Sequence, residues 1–265
     1  MSPPDPPNRI AGGDMPLNLL EAEGRWILST NSGWRNAYLQ VYDEQKRTVS
    51  SRVQLPSLWY GLAYDSERKL VLASSADSSV YVFTLTAGRL EHRREMGLIS
   101  CLLAAGVTLG PEGTAWVACN QNETVLRVDY LNGRTLSSAK VGAFPYAIAR
   151  LPGGKLAVSL WGQSAIALVD SRTLAAIGVI PVGSHPNQML YLPEAGHLLV
   201  ACSDCDDISV VDPDRRREVR RFHLGIQGVS LGGAQPVSMT EGHASGTIYV
   251  ALAATNAVAV LRVAH

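Results

Sequence analysis

The chain has 265 residues, 46% hydrophobic and 17% charged, with 23 basic residues balanced by 23 acidic ones. That length and apolar content bury a large core without a disulfide scaffold, and with zero net charge nothing suggests a nucleic-acid footprint, which would need a basic excess on one face. No apolar run approaches the roughly 18–20 residues of a membrane-spanning helix.

Residues 1–8, MSPPDPPN, are Pro-rich and lack the basic start and apolar segment of a signal peptide. They read as the start of a chain that is cytoplasmic or has had its leader removed. From Met15 onward the chain is a series of short apolar runs bounded by Gly, Pro, Asn and Ser, which predicts strands. The unit is clearest at 145–150, 155–160, 165–170 and 175–182, four strands joined by short turns. Its third strand, a V-x-V-x-D pattern, recurs with ends at Asp43, Thr84, Asp129, Asp170, Asp212 and Arg262. The second strand keeps phase as WILST at 26, LVLAS at 70, AWVAC at 115, LAVSL at 156, LLVAC at 198 and IYVAL at 248. First strands open at Pro16, Trp59, Pro145, Pro186 and Pro236, with a weaker copy over 104–109.

A four-strand unit repeated every roughly 40–50 residues has the period of a propeller blade. The expected fold is therefore all-β, a single β-propeller domain over 1–265 with six four-stranded blades, seven being the alternative. The blades run approximately over 15–57, 58–103, 104–144, 145–185, 186–235 and 236–265. Residues 10–16, IAGGDMP, match 180–186, IPVGSHP. Residues 8–13 are thereby expected to supply the outer strand that the last blade lacks, closing the ring and hiding open sheet edges.

GDMPLNL at 13–19, NSGWRNAYLQVYD at 31–43, LWYGLAYD at 58–65 and VGSHPNQMLYLPEAGHLLVAC at 182–202 carry a more specific pattern. They resemble YVTN-type propeller repeats, in particular the propeller half of bacterial proteins that join such repeats to an alkaline-phosphatase-superfamily domain. The resemblance implies an exported protein, periplasmic or secreted. It departs from that family in blade number, usually seven there, and in having no phosphatase domain after the repeats. The Asn that ends the YVTN tetrad reads as replaced, by Thr30, Ser74, Cys119, Leu160, Cys202 and Leu252 in turn.

The longest insertions lie in the second and fifth copies. GRLEHRREMGL at 88–98 and the arginines Arg215, Arg216, Arg217, Arg220 and Arg221 fall on outer strands, where alternating charge protects a sheet edge; a docking patch for an acidic partner is the other reading. The Gly-rich GIQGVSLGGAQ at 225–235 does not lead from a strand into a helix, so it is no nucleotide-binding fingerprint. Among the cysteines, Cys119 and Cys202 end equivalent strands, which favours a small buried residue. Cys202 and Cys205 have metal-ligand spacing but no second pair to complete a site; a structural thiol or a local disulfide is the expectation.

No GxSxG, HExxH, phosphate loop or CxxCH occurs. Propeller lactonases hold a metal by acidic and amide groups in the channel, whereas the first strands here present Asn18, Gly61, Ala147, Gln188 and Ser238. The expectation is no catalytic residue, no metal and no cofactor. What stands out is aromatic. The blade connections and the turns between second and third strands share one face of a propeller, and these segments hold Trp34, Trp59, Tyr60, Phe144, Tyr146, Trp161, His185 and Asn187. Equivalent turns in other copies carry only small polar residues. Such rings either cover the blade tops or form a concave site for a sugar, a peptide or a partner loop. The candidate binding residues are Trp34, Trp59, Tyr60, Tyr146, Trp161, His185, Asn187 and Asn18, facing a protein partner or a small ligand. The function expected is a non-catalytic binding or scaffolding module. The alternatives are the accessory propeller of a phosphoesterase whose catalytic domain is absent from this chain, and a channel-mouth hydrolase.

Overall fold

The computed structural model describes residues 15–33, 36–224, 233–242, 246–255 and 257–262. These form six antiparallel sheets in a ring, a six-bladed β-propeller. Blade 1 consists of Pro16–Ala22, Trp26–Ser32, Ala37–Asp43 and Thr48–Leu55, and blade 2 of Leu62–Asp65, Leu70–Ser75, Ser79–Thr86 and Arg89–Gly97. Blade 3 has Ala104–Leu109, Thr114–Cys119, Thr124–Asp129 and Arg134–Lys140; blade 4 has Pro145–Leu151, Lys155–Leu160, Ala165–Asp170 and Ala176–Pro181. Blade 5 has Pro186–Leu192, His197–Cys202, Asp207–Asp212 and Arg217–His223. Three strands of blade 6 are described, Pro236–Glu241, Thr247–Leu252 and Ala257–Arg262. The strand expected from residues 8–13 lies outside the described residues.

A blade packed between two neighbours buries both faces, so its second and third strands read as continuous apolar runs. Leu156, Val158, Ile166 and Leu168 of blade 4 are all fully buried, although neighbours along a strand point to opposite faces. Five apolar cores result, one between each consecutive pair from blades 1 and 2 to blades 5 and 6. First strands of adjacent blades converge on the axis, and there the backbones nearly touch. A Cβ on Gly61 would lie 2.3 Å from the Ala105 carbonyl oxygen, and one on Gly106 would lie 2.5 Å from that of Tyr146. These two positions require glycine for space.

The Asp that ends the third strand has a local task. In blades 1, 3, 4 and 5 its carboxylate accepts backbone N–H groups two or three residues on, from Gln45 and Lys46 to Asp43, Asn132 to Asp129, Arg172 and Thr173 to Asp170, and Asp214 and Arg215 to Asp212. This Asx-turn chemistry closes the hairpin to the outer strand. Blade 2 has Thr84 instead and turns two residues later through Ala87 and Gly88, with φ of 46° and 78°, the type I′ geometry suited to a two-residue hairpin.

Strand pairing corrects the assignment of the tetrad's last residue. Pro145 opposes Leu160, Pro186 opposes Cys202 and Pro236 opposes Leu252, and Pro16 opposes Asn31 rather than Thr30. The second blade's counterpart is Ser75, opposite Ser79, rather than Ser74. Matching apolar letters slipped by one residue because it ignored which residues face each other across the ladder. Asn31 is fully buried, and its Nδ2 donates to the Ser29 carbonyl and Oγ and to the Tyr38 carbonyl at 3.2–3.4 Å.

Blade 6 differs from the others. Its face toward blade 5 is buried, but the opposite face carries Val258 at 62% and Val260 at 55% exposure. Their counterparts in blade 4, Ile166 and Leu168, are fully buried. Among the described residues no apolar core joins blade 6 to blade 1.

Candidate functional site

The connections between blades and the turns between second and third strands lie together on one face, here called the top. Hydrogen bonds lock them in pairs: the Trp161 N–H donates to the Phe144 carbonyl at 3.0 Å, and the Ser203 N–H to the His185 carbonyl at 3.2 Å. In five of the six blades the residue before the first strand repeats one backbone state. Met15, Leu103, Phe144, His185 and Gln235 all have φ between 48° and 57°. Left-handed backbone in side-chain-bearing residues is uncommon, and its recurrence with five different residues assigns the strain to the blade junction rather than to a ligand.

At blades 3 to 5 that junction throws large rings outward. Phe144, 45% exposed, meets Trp161 edge to face at 6.4 Å between centroids. Trp161, 38% exposed, stacks on the His185 imidazole at 4.0 Å and 17°. Beyond it, His185 Nδ1 lies against the Asp204 carboxylate. The row thus runs Phe144, Trp161, His185, Asp204 over three blades, and each ring holds the next in place. Ile99 and Leu102, in the connection from blade 2 to blade 3, are also exposed apolar residues.

The other expected site residues lie elsewhere. Tyr60 is buried rather than on the rim. It reaches from blade 2 to the Tyr146 ring of blade 4, with centroids 4.7 Å apart, so the two tyrosines brace the channel. Burial pushes the Tyr146 phenol up to about 12 and raises that of Tyr60 as well, so both stay protonated. Trp59 is half-buried against the core of blades 4 and 5, and its Nε1 is buried without a hydrogen-bond partner. Asn18 donates from Nδ2 to the Tyr60 carbonyl at 2.9 Å. Asn187 follows Pro186 as Tyr146 follows Pro145, and it is only 9% exposed. Trp34 lies outside the described residues. The expected set therefore divides into a rim row, with Trp161 and His185, and a channel group of Tyr60, Tyr146, Asn187 and Asn18.

The sequence reading missed the pairing of Cys101 with Cys119, which form a disulfide. The signal was available in the repeat: a residue just before a first strand and one at the end of the second strand meet at the top of a blade. A cleft of about 380 Å³ between blades 5 and 6 is lined by Leu199, Ile208, Ile248 and Leu261, and by Arg220 and Arg262. It sits near the turn between Leu192 and His197, at the end of the blades remote from the aromatic row. Among the described residues no helix is long and apolar enough to cross a membrane.

No protein-family model matches the chain, and no curated protein matches it in sequence. Solved structures do resemble it in fold. Hydrazine synthase from Kuenenia stuttgartiensis superposes with a TM-score of 0.73 at 15% identity, over 93% of this chain and 76% of that one. A protein of unknown function from Bacteroides caccae gives 0.63 at 18% identity, over 85% and 82%. A functionally unknown protein from Desulfotomaculum acetoxidans gives 0.68 at 16%, over 82% and 73%. At such identities the likeness shows the propeller fold and carries no activity.

Proposed function

We propose that the chain is a YVTN-type, WD40-like propeller acting as a non-catalytic binding or scaffolding module, with its partner seated on the top of blades 3 to 5. The supporting observation is the Phe144–Trp161–His185 row, where two large rings stay exposed although the blade needs only small polar residues in those turns. Stacked rings pre-ordered before binding lose little entropy on contact, which is how aromatic anchors serve an interface. The partner is a protein segment that lays an apolar side chain on the Trp161 ring and a cationic one beside Asp204. The Cys101–Cys119 disulfide supports an oxidising compartment, in keeping with export.

A second reading has its own support. Tyr60, Tyr146 and Asn187 put two protonated phenols and an amide around the channel, and none of these side chains has a hydrogen-bond partner among the described residues. Their charge-neutral chemistry suits an uncharged small ligand bearing carbonyl or hydroxyl oxygens. A peptide array and a glycan array, each probed with the native protein, with Phe144→Ala/Trp161→Ala and with Asn187→Ala/Tyr146→Phe, separate the readings. Peptide signals lost in the double variant support the rim; glycan signals lost only in Asn187→Ala/Tyr146→Phe support the channel. Signals that survive both variants reject both sites.

A further inference from the structure

Blade 3 holds a disulfide where blade 5 holds two free thiols, and the repeat allows the two places to be compared atom by atom. In blade 3, Cys119 ends the second strand opposite Ala104, and Cys101 lies three residues before Ala104. The two Cα atoms are 5.1 Å apart and the sulfurs are bonded. In blade 5, Cys202 ends the second strand opposite Pro186. Three residues before Pro186 stands Gly183. The partner position is thus a glycine, but its space is not empty. A Cβ built on Gly183 would lie 2.6 Å from the Cys205 sulfur and 2.9 Å from the Cys202 sulfur. Cys205 enters from the other side, on the short 3₁₀ turn Ser203–Cys205, and brings its sulfur to the place where a side chain at 183 would begin.

We propose that Cys202 and Cys205 form an oxidation site, a dithiol that closes into a second disulfide and takes in blade 5 the place that Cys101–Cys119 holds in blade 3. Both sulfurs converge on one point, and Gly183 leaves them the room. Cys205 is partly exposed and Cys202 is buried, which sets the order of events. A donor disulfide is attacked by the Cys205 thiolate; a mixed disulfide forms and one donor thiolate leaves. The Cys202 thiolate then attacks the Cys205 sulfur and expels the second donor thiolate. The protein loses two protons and two electrons, and the donor gains both as two thiols. Burial pushes the Cys202 thiol up to about 12 and also raises Cys205, so little thiolate exists at neutral pH and closure is slow there, quickening as pH rises.

Closure reaches the rim. The Cys205 sulfur now accepts the Ser184 N–H at 3.2 Å, next to His185, and Asp204 beside it contacts the His185 ring. Bonding Cys205 to Cys202 shifts that acceptor and fixes the turn that carries Asp204. The site stands on the repeat comparison and not on the binding function proposed above.

The test uses the full chain, native and folded, incubated with oxidised glutathione, then denatured and alkylated with iodoacetamide without reductant. Peptide mapping by mass spectrometry reads each cysteine. The expected result is a Cys202–Cys205 cross-link, a mass lower by two hydrogens, no alkylation at either position, and a rate that increases from pH 7 to pH 9. Cys205→Ser should leave Cys202 alkylated after the same treatment. Alkylation at both positions of the oxidised native protein would overturn the proposal. A lasting glutathione adduct on Cys205, or a cross-link from either residue to another chain, would overturn it equally, since each means that the two sulfurs do not meet.

Discussion

Trp161 and Tyr60 are both aromatic residues at a blade top, and their surroundings give them opposite parts. Trp161 rests on His185, meets Phe144 with its edge and stays 38% exposed, so Trp161→Ala opens a surface dent and no enclosed cavity. Its melting temperature is expected to stay within a few degrees of the native value, while tryptophan fluorescence ceases to respond to a bound partner. A fall beyond about 10 °C would place that ring in the core. Tyr60→Ala, by contrast, empties a site between blades 2 and 4 and should cost about 3 kcal/mol or more in a denaturant titration. Tyr60→Phe should change stability by less than about 0.5 kcal/mol, because the hydroxyl has no partner among the described residues. A large loss in the Phe variant would reveal a hydrogen bond made by that hydroxyl. The sequence could mark both rings as additions to the turn but could not give their direction. One residue separates the outward Phe144 from the inward Tyr146, and only the left-handed backbone at Phe144 decides which side chain faces which way.

The strand-ending carboxylates act at the scale of the hairpin. The Arg25 guanidinium and the backbone N–H groups of Lys46 and Gln45 hold Asp43 down to about 2; the Asn132 side-chain and backbone N–H groups and the Arg134 guanidinium do the same for Asp129. Asp170 and Asp212 are lowered chiefly by the backbone N–H groups of Thr173 and Arg215. A folded value below the unfolded one of about 3.9 contributes stability that is complete above that pH and is lost as pH falls through the folded value. The melting temperature should thus be level from pH 7 to about 5 and drop between about 4 and 2. Asp170→Asn should flatten part of that drop, since the amide does not titrate; an unchanged acid profile in the variant would remove Asp170 from the cause. Blade 2 has Thr84 at this position and contributes instead through Asp65 at the end of its first strand, which, against the opposing effect of burial, the Tyr130 hydroxyl and Arg68 lower. The repeat made these elements legible, because V-x-V-x-D records both a buried strand and its cap. Register was less legible: Asn31 was passed over for Thr30, since a one-letter slip keeps the apolar pattern while exchanging the two faces. The Gly-rich 225–232 lies outside the described residues.

Across the molecule, five apolar interfaces couple the six blades among the described residues, and the Tyr60–Tyr146 pair ties blade 2 to blade 4 through the axis. The face of blade 6 that carries Val258 and Val260 has no such coupling to blade 1 among the described residues. Amide exchange should accordingly be fastest in the strands of blade 6 and slowest in blades 3 and 4, where Val117, Leu156 and Leu168 are fully buried. Equal protection in all six blades would show a closed, uniform ring. If residues 8–13 supply the missing outer strand, deleting 1–13 should lower the melting temperature and speed exchange in blade 6 before any other. The joint between blades 6 and 1 also sets the statistics of unfolding. A ring with six equal joints must break two of them to release any blade, but a row with five joints frees an end blade by breaking one. With the sixth joint opened by deletion of 1–13, partial unfolding is expected to travel inward from blades 1 and 6 as a front, with a broad thermal transition, and a ligand that bridges those two blades would sharpen that transition more than it raises its midpoint.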